Sequence, residues 1–332
     1  MEEMNNQQQE KDYILEVDGL KQYFPVATNF FGKPTAYLRA VDGVSFKIER
    51  GKTLGVVGES GCGKTTLGRT ILRLYDVTEG SALYTTVNEK GEKVTHDLAK
   101  ISKKEFYDLR TELQLVFQDP YSSLPPRMTV GAIIGEAVKV HKIVPDSEIS
   151  NYVRGVMARC GLQPHHYDRY PHEFSGGQRQ RICIARALAV KPKFVICDEP
   201  VSALDVSIQA QIINLLKELQ RSLGLTYLFI SHDLSVMRFI CDRIAVIHKG
   251  KLVELCETEK LFRHPLHPYT RALLSAVPQP DPDSEKTKVL TTYDPSMHDY
   301  SVDKPEWIEI EPEHFVLGNQ KELDEYRKIL SE

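Results

Sequence analysis

The residues whose types and spacing point most directly to chemistry are 58–65, which read Gly-Glu-Ser-Gly-Cys-Gly-Lys-Thr. They fit the pattern G-x-x-x-x-G-K-T, a loop whose backbone N–H groups surround phosphate oxygens. Lys64 would add a point charge for the β- and γ-phosphates, and the Thr65 hydroxyl would bind Mg²⁺. We therefore predict that a nucleotide is bound by Gly58, Glu59, Ser60, Gly61, Cys62, Gly63, Lys64, Thr65 and Thr66.

The elements on either side of this loop are those that position phosphates. Residues 53–57 form a short apolar run with β-branched side chains, which predicts a buried strand. After the loop, Leu67, Ile71 and Leu74 recur at helical spacing and predict a helix with one apolar face. The N-terminus of that helix favours an anion, and glycines let the backbone approach it closely. A plain glycine turn is the alternative, but such turns rarely carry Gly-Lys-Thr at the start of a helix.

A pair of carboxylates, Asp198 and Glu199, follows a second apolar run at residues 194–197. An Asp at a strand end beside a phosphate loop can hold the hydration shell of Mg²⁺, and the carboxylate after it can orient or polarise water. The alternative is a strand that ends in solvated acids. The phosphate loop upstream favours the metal-binding interpretation.

A second candidate anion site precedes another predicted helix. Residues 174–178 read Phe-Ser-Gly-Gly-Gln, and the helix is predicted to begin near Gly177. A helix N-terminus of this kind could bind an anion, while a helix cap with a glycine turn is the alternative. Because one nucleotide needs only one phosphate loop, a second anion site indicates that a group from elsewhere touches the γ-phosphate.

Composition excludes several classes of protein. The chain has 332 residues, of which 41% are hydrophobic and 27% charged, as in an ordinary soluble globular protein. Its net charge of −4 provides no basic excess for nucleic acid or an anionic membrane. No apolar run approaches the ~20 residues of a membrane helix. Residues 1–11 are polar and lack an apolar core, so we predict a disordered leader and not a signal peptide.

The cysteines predict no metal cluster. None of them lies in a C-x-x-C pair, so neither a zinc site nor an iron–sulfur site is predicted. They suit a reducing, cytoplasmic location. The six are Cys62, Cys160, Cys183, Cys197, Cys241 and Cys256.

The order of predicted elements indicates an α/β fold. Residues 13–17 and 44–48 alternate in polarity and predict antiparallel strands, with a long loop at 26–39 between them. Gly80 is predicted to close the first helix, before a surface hairpin at 81–94. The remaining predictions are strands at 113–117, 194–197, 227–230, 244–247 and 251–254, and helices at 130–140, 149–160, 177–190 and 208–223. Alternation of strands and helices predicts a parallel sheet with helices on both faces.

The C-terminal part has a different character. Prolines spaced along residues 277–282 predict a linker. The tail beyond it is polar and acidic with little periodicity, and it contains the only tryptophan, Trp307, and a short apolar island at 315–317. No chemistry is assigned to it.

Six motifs occur in an order that resembles the ATP-binding cassette (ABC) ATPases. Residues 58–65 resemble the phosphate loop of that family, and Gln118 its Q-loop glutamine. The others resemble its signature (175–178), Walker B acids (198–199), D-loop (202–205) and switch histidine, His232. The similarity spans about residues 13–255. It implies a P-loop NTPase fold with a RecA-like parallel core, an antiparallel β-subdomain and an inserted helical subdomain at about 119–180. The ATPase domain would span 12–276, followed by a linker and C-terminal extension at 277–332.

The resemblance also implies a role for each motif. Two cassettes would face each other head to tail, so that the signature of one contacts the γ-phosphate held by Lys64 of the other. Glu199 would be the general base or orient the attacking water, His232 would clamp the γ-phosphate, and Gln118 would sense Mg²⁺ and the transporter. The signature residues are Ser175, Gly176, Gly177 and Gln178, the D-loop adds Asp205, and the Mg²⁺ residues are Thr65, Gln118 and Asp198. Phe24 is predicted to stack on adenine, with Tyr23 as the alternative.

Further segments are similar to one branch of the family, the ATPase subunits of oligopeptide and dipeptide importers. They are residues 57–64, 117–124, 127–130 and 264–270, the last reading His-Pro-Leu-His-Pro-Tyr-Thr. Pro125 departs from that pattern at a usually polar position, and Phe174 replaces the usual Leu. The C-terminal cysteine cluster of some relatives is missing, so we predict no iron–sulfur cluster.

The resemblance implies ATP and Mg²⁺ as cofactors and a peripheral position on the cytoplasmic face of the cell membrane. The implied partners are a second ABC ATPase subunit, two membrane permease subunits and an extracytoplasmic substrate-binding protein, without nucleic acid. The branch usually pairs two different cassettes, which favours a heterodimer over a homodimer. The alternatives are importers of nickel or another small solute, an exporter subunit, a cassette without a transport role, and a catalytically inactive regulatory cassette.

Overall fold

The computed structural model describes residues 11–31, 33–88, 90–277 and 290–331. The predicted leader, apart from Lys11, and the predicted linker, apart from Val277, lie outside the described residues. The strands are β1 (Tyr13–Thr28), β2 (Pro34–Glu49), β3 (Thr53–Val57), β4 (Glu79–Val87), β5 (Lys93–Asp97), β6 (Leu113–Val116), β7 (Phe194–Asp198), β8 (Thr226–Ser231), β9 (Arg243–His248), β10 (Lys251–Glu257), β11 (Glu306–Glu311) and β12 (His314–Gly318). The helices are α1 (Lys64–Ile71), α2 (Lys103–Leu109), α3 (Pro120–Ser123), α4 (Val130–Val140), α5 (Ile149–Arg159), α6 (Gly176–Leu188), α7 (Val206–Leu223), α8 (Leu234–Ile240), α9 (Thr258–Arg263), α10 (Pro268–Ser275) and α11 (Gln320–Ser331).

Two sheets organise these elements. A four-stranded antiparallel sheet has the order β2-β1-β4-β5, and an eight-stranded sheet has the order β11-β12-β10-β9-β3-β8-β7-β6. Within the larger sheet, β9, β3, β8, β7 and β6 run parallel, and β10, β12 and β11 continue it antiparallel. The predicted parallel core and antiparallel β-subdomain are therefore confirmed.

The centre of the large sheet is buried on both faces. Successive side chains of a strand point to opposite faces, and both sets are apolar in β7. Phe194 and Ile196 pack with α1 and the antiparallel sheet, whereas Val195 and Cys197 pack with α4–α8. Strand β7 is therefore a central strand that is covered on both sides.

The helical segments follow the sequence closely. Helix α4 begins after Thr129, whose hydroxyl accepts the N–H of Ala132 at 3.3 Å and satisfies one free donor of the first turn. Helix α5 is followed by Gly161 at φ +72°, and α7 by Gly224 at φ +65°. Glycine is favoured at these helix ends because the left-handed conformation is strained for other residues.

The prediction of a long loop at residues 26–39 is wrong. This segment is the far end of an antiparallel hairpin, in which β1 and β2 stay paired as far as Ala27 with Ala36 and Thr28 with Pro34. Its side chains do not alternate in burial, since Phe30 and Tyr37 are exposed. Backbone pairing therefore extends the strands beyond the buried body of the sheet, where the side-chain pattern carries no signal.

The prediction that Gly80 closes the first helix is also wrong. Helix α1 ends at Ile71, and Leu74, which was expected on its apolar face, is 55% exposed. Gly80 lies in β4 at φ +92°, where a Cβ atom would lie 2.4 Å from the carbonyl oxygen of Gly19. Glycine here permits the close approach of β4 to β1.

Residues 290–331 contain regular structure, although the sequence suggested a tail with little periodicity. Strand β12 pairs with β10 through Leu255 and Phe315, and β11 adds a further strand. Trp307 stacks on Phe315 with ring centroids 5.9 Å apart, and α11 buries Leu323 and Tyr326. β12 forms by pairing with the edge strand β10, and β11 by pairing with β12. The few apolar residues of this segment therefore give too weak a local pattern to predict the two strands.

A buried carboxylate connects this C-terminal part to the rest of the sheet. Glu254 of β10 is fully buried, and its Oε1 accepts the N–H of Leu266 at 2.9 Å. Its Oε2 accepts the N–H of His267 at 3.0 Å, and His314 Nε2 lies 2.9 Å from Oε1. Glu254 thus fixes both β12 and the segment that leads into α10.

His267 caps α10 in its neutral form. Its Nδ1 accepts the N–H of Tyr269 at 3.1 Å, and burial, with smaller effects of His298, His248 and Arg271, lowers the pKa of His267 to about 3. The pKa in the unfolded chain is about 6.5. The unfolded chain therefore binds a proton in this interval that the folded chain does not, so stability falls as the pH falls from about 6.5 towards 3.

We predict that His267→Asn reduces this pH dependence. Asparagine can still accept the N–H of Tyr269 but does not titrate. Between pH 6.5 and 5 the free energy of unfolding of the wild type should fall more steeply than that of the variant, by up to about 1.4 kcal/mol per pH unit. Urea unfolding at several pH values measures both slopes. His264→Asn, at an exposed position, is the matched control and should keep the wild-type slope; equal slopes for His267→Asn and wild type would contradict the prediction.

Candidate active site

The phosphate loop lies between β3 and α1 and contacts its neighbours through backbone atoms. A Cβ atom on Gly58 would lie 2.2 Å from the carbonyl oxygen of Ile247. Gly63 has φ +109°, and a Cβ atom there would lie 2.1 Å from the carbonyl oxygen of Ala40. Glycine is therefore required at both ends of the turn for steric reasons.

Lys64 places a positive charge inside this loop. Its side chain is buried, and Nζ donates to the carbonyl oxygens of Gly58 at 2.7 Å and Glu59 at 2.8 Å. A charged ammonium group is stabilised only where acceptors surround it, and the loop carbonyls serve this purpose. The charge therefore lies beside the N-terminus of α1, where an anion is favoured.

Asp198 contacts Thr65, the last residue of the phosphate loop. The Thr65 hydroxyl donates to Asp198 Oδ1 at 2.8 Å, and burial raises the pKa of Asp198. The second oxygen, Oδ2, is buried and has no hydrogen-bond partner among the described residues. A hydroxyl and an unpaired buried carboxylate oxygen are the hard oxygen ligands that Mg²⁺ or its bound water requires, so the residues fit this ion.

Glu199 is held by two other predicted residues. Gln118 Nε2 donates to Glu199 Oε2 at 2.9 Å, and His232 Nδ1 lies 3.2 Å from the same oxygen. Glu199 has φ +45°, a left-handed conformation that is strained for a residue other than glycine, and its N–H donates to the carbonyl oxygen of Ile230 at 2.9 Å. Strained residues of this kind cluster at active sites because the surrounding structure holds them there.

The topology explains why these residues meet. Asp198 is the last residue of β7, Gln118 follows β6, His232 follows β8, and the phosphate loop follows β3. The four strands are parallel neighbours, so their carboxyl ends lie at one edge of the sheet. Ligands of open α/β sheets bind at this edge. The structure therefore brings Lys64, Thr65, Gln118, Asp198, Glu199 and His232 to one edge of the sheet.

The signature residues lie at the start of α6 and not at the carboxyl ends of the parallel strands. Ser175 is the N-cap of α6: its hydroxyl accepts the N–H of Gln178 at 3.4 Å, and its own N–H donates to Gln178 Oε1 at 3.1 Å. Among the described residues, the Ser175 hydroxyl and N–H bond only within this capping box, and its carbonyl oxygen accepts the N–H of Arg179 at 2.9 Å within the helix. A Cβ atom on Gly176 would lie 3.3 Å from Leu204, and one on Gly177 only 2.5 Å from Ile208 Cγ2. Within one chain, the glycines therefore allow α6 to pack closely on the start of α7.

The two aromatic candidates for the adenine contact have different surroundings. The half-buried ring of Phe24 contacts Tyr75 edge to face, with centroids 5.1 Å apart. The Tyr23 hydroxyl donates to Asp42, and the guanidinium of Arg39 lies 5.6 Å from the Tyr23 ring centroid. The assignment of adenine stacking to Phe24, with Tyr23 as the alternative, stays a prediction.

The remaining predicted residues lie on the loop and the adjoining helices. Glu59, Ser60 and Gly61 are exposed, Thr66 is half-buried in the first turn of α1, and Asp205 is exposed at the N-cap of α7. Cys62 is buried, which raises the pKa of its thiol and keeps it protonated at neutral pH.

One residue near the loop was not predicted. The N–H of Glu59 donates to the hydroxyl oxygen of Tyr269 at 3.1 Å. Tyr269 belongs to the His-Pro-Tyr segment, which resembled a family segment but received no role. Glu59 and Tyr269 are 210 residues apart, so no local sequence pattern predicts their contact. The resemblance of residues 264–270 to a family segment is the sequence signal that could have indicated Tyr269.

Comparisons with known proteins agree with this geometry. A family described as "ABC transporter" matches residues 41–202, and one described as "Oligopeptide/dipeptide transporter, C-terminal region" matches residues 253–303. The oligopeptide transport ATP-binding protein OppF of Bacillus subtilis is 51% identical over 312 residues, which cover 93% of this chain and 97% of that protein. This chain belongs to the ABC transporter family of ATP-binding proteins. AmiF of Streptococcus pneumoniae, which has the same description, is 53% identical over 91% of this chain and 96% of its own length.

Solved structures agree on the fold. The structure of cbiO1 from Clostridium perfringens, part of the ABC transporter complex cbiONQ, has a TM-score of 0.62 and 28% identity and covers 76% of this chain and 91% of its own. The cassette MJ0796, solved as a dimer bound to ADP and Pi, has a TM-score of 0.62 and 24% identity over 74% of this chain and 98% of its own. The chain is thus an ATP-binding ATPase with a P-loop NTPase fold, as predicted. Among the helices that the structure describes, none is both long and apolar enough to cross a membrane.

We predict that Gly177→Ala destabilises the protein by about 1–3 kcal/mol, because its methyl group would force α6 away from Ile208. The free energy of unfolding from urea titration measures the change. Gly155→Ala is the matched control: it lies within α5, with nothing within 4 Å of an added Cβ atom, and should stabilise the chain by up to about 1 kcal/mol. Equal effects of the two substitutions would contradict the steric explanation.

Proposed function

We propose that this chain is the ATP-hydrolysing subunit of an importer of oligopeptides or dipeptides, and that it works with separate membrane subunits. One observation carries the proposal: relatives described as oligopeptide transport ATP-binding proteins are about half identical to it over nearly their whole length. The match of residues 253–303 to a C-terminal region of oligopeptide/dipeptide transporters supports the same substrate class.

The proposed nucleotide site consists of the phosphate loop and the Asp198 carboxylate that contacts it. The loop N–H groups and Lys64 would bind the β- and γ-phosphates of ATP. Thr65, Asp198 and Gln118 would hold Mg²⁺ or its bound water, and the ion would supply charge neutralisation on the phosphates. The buried, unpaired Oδ2 of Asp198 supports this assignment.

Glu199 would orient the attacking water and take up its proton. Gln118 and His232 both contact Oε2, so they would fix the carboxylate and leave Oε1 to accept a hydrogen bond from the water. As the water oxygen bonds to the γ-phosphorus, its proton passes to Glu199 and the bond to ADP breaks, which releases phosphate. His232, whose side chain is about half exposed, would contact the γ-phosphate.

Completion of the site would require a second cassette. Ser175 is exposed and its hydroxyl bonds only within its own helix cap among the described residues, which supports contact of the signature with the γ-phosphate bound by a partner. Asp205 is exposed at the N-cap of α7 and would lie at the same interface. We propose a head-to-tail dimer with a different cassette, as is usual in this branch of the family, in preference to a homodimer.

The membrane partners would dock near the Q-loop. Gln118 is joined to Glu199 on one side and leads into α3 and α4 on the other. Tyr121 and Val140, which lie on these helices, are 61% and 57% exposed and suit contact with a partner. We propose two permease subunits at this surface, an extracytoplasmic peptide-binding protein beyond them, and a peripheral location on the cytoplasmic face of the membrane.

We predict that Glu199→Gln lowers kcat for ATP hydrolysis by at least about 100-fold, because the amide cannot accept the proton of water. ATP affinity should stay within about threefold of wild type, since the phosphate contacts are unchanged. Lys64→Ala is the comparison: it should weaken ATP binding itself by more than about tenfold. Steady-state turnover and calorimetric titration with ATP separate the two effects. Turnover of Glu199→Gln comparable to wild type would refute its role.

The transport proposal is tested by purifying the chain from its native membrane and by measuring uptake. We expect it to copurify with a second cassette and two multi-span subunits. Cells that lack the chain should lose uptake of labelled oligopeptides, and the wild type should restore it while Glu199→Gln should not. Loss of nickel uptake with peptide uptake intact would favour the alternative substrate. Recovery with ribosomes or nucleic acid and without membrane partners would overturn the transport role.

A further inference from the structure

The peptide unit between Gly58 and Glu59 is bonded at both of its polar groups. Its carbonyl oxygen accepts Lys64 Nζ at 2.7 Å, and its N–H donates to the Tyr269 hydroxyl oxygen at 3.1 Å. This peptide unit is the entry to the phosphate loop. Its orientation therefore depends on two side chains, Lys64 within the loop and Tyr269 on α10, in the C-terminal region from residue 253 onwards.

The Tyr269 side chain is held rigidly. It is 1% exposed, and its ring contacts those of His248 and Tyr293, with centroids 4.3 Å and 5.2 Å away. Its backbone N–H is bonded to the capping side chain of His267, and the N–H of His267 is bonded to Glu254. The hydroxyl is thus fixed through buried contacts to β9 and β10.

Nucleotide binding would break one of the two hydrogen bonds of this peptide unit and leave the other in place. This step depends on the proposed function, in which Lys64 Nζ turns to the phosphates and leaves the carbonyl oxygen of Gly58. The bond from the N–H of Glu59 to Tyr269 lies on the other side of the peptide unit and does not compete with phosphate. The bond to Tyr269 would then be the remaining side-chain hydrogen bond on this peptide unit, in addition to the packing of Gly58 on Ile247.

We propose that Tyr269 is a positioning residue for ATP binding: its hydroxyl holds the Gly58–Glu59 peptide in the orientation that the phosphate loop needs. The residue touches no phosphate and acts through the loop backbone. The His-Pro-Tyr segment thereby makes the geometry of the loop depend on the C-terminal region.

The test is Tyr269→Phe in the full chain, which removes the hydroxyl and keeps the ring that packs on His248. Calorimetric titration with ATP and Mg²⁺ should show affinity weaker by about 5- to 30-fold, as expected for loss of one hydrogen bond that leaves a polar group unpaired. KM for ATP should rise with it, and kcat should stay within about threefold, because Glu199 is untouched. A purely packing role predicts no change, so affinity within twofold of wild type would overturn the proposal.

Tyr300→Phe is the matched control. Its hydroxyl contacts Glu322 Oε2 at 3.1 Å and His298 Nδ1 at 3.0 Å, within the same C-terminal region. Its removal should leave ATP affinity within twofold of wild type. Equal weakening by both substitutions would show a general loosening of the region and would overturn the specific role of Tyr269.

Amide hydrogen exchange tests the contact without nucleotide. In the folded wild type the N–H of Glu59 should exchange at least about 100-fold more slowly than in the unfolded chain, and Tyr269→Phe should remove most of this protection while Tyr300→Phe retains it. An unprotected amide in the wild type overturns the proposal even if the variant does not fold. A wild-type chain that shows this protection but binds no ATP would instead overturn the proposed function, and with it the role of Tyr269 in binding.

Discussion

Close backbone contact behind the phosphate loop is the constraint on which the rest of the structure depends. Gly58 lies against the carbonyl of Ile247 in the large sheet, and Gly63 against that of Ala40 in the antiparallel sheet. A methyl group at either position would collide with a carbonyl oxygen that the sheet holds in place. The loop thus lies at a point where the two sheets meet, and its shape follows from how they pack.

The same packing sets the electrostatics of the site. Strands β3, β7 and β8 are buried along their whole length, so the groups at their carboxyl ends lie at the edge of a dry core. Charges interact more strongly there than in water, and an unpaired oxygen such as Asp198 Oδ2 is costly unless a cation or its water binds it. The charges of Lys64 and Asp198 therefore suit the proposed binding of a phosphate together with a cation. Glu199 is kept in place by Gln118 and His232 despite its strained backbone.

The C-terminal region is part of this arrangement. Glu254 joins β10 to β12 and to the start of α10, and Tyr269 on α10 contacts the loop. The described part of the family segment at 253–303 therefore contacts the phosphate loop through Tyr269. The hydrogen bonds of Glu254 are buried and that of the Tyr269 hydroxyl is partly buried, so they hold a defined geometry that exposed contacts would not.

The sequence by itself determined the local chemistry and the elements that carry it. Gly-Lys-Thr at a helix start, Asp198-Glu199 at the end of an apolar strand, and the helices α4, α5 and α7 follow from spacing and periodicity, which are local properties. Tertiary structure decided whatever depends on a distant backbone. The continuation of β1 and β2 beyond residue 26, the position of Gly80 against Gly19, and the addition of β11 and β12 to β10 all need a neighbouring strand that no local pattern specifies. The hydrogen bond between Glu59 and Tyr269 joins residues 210 positions apart, and only the folded chain brings them together.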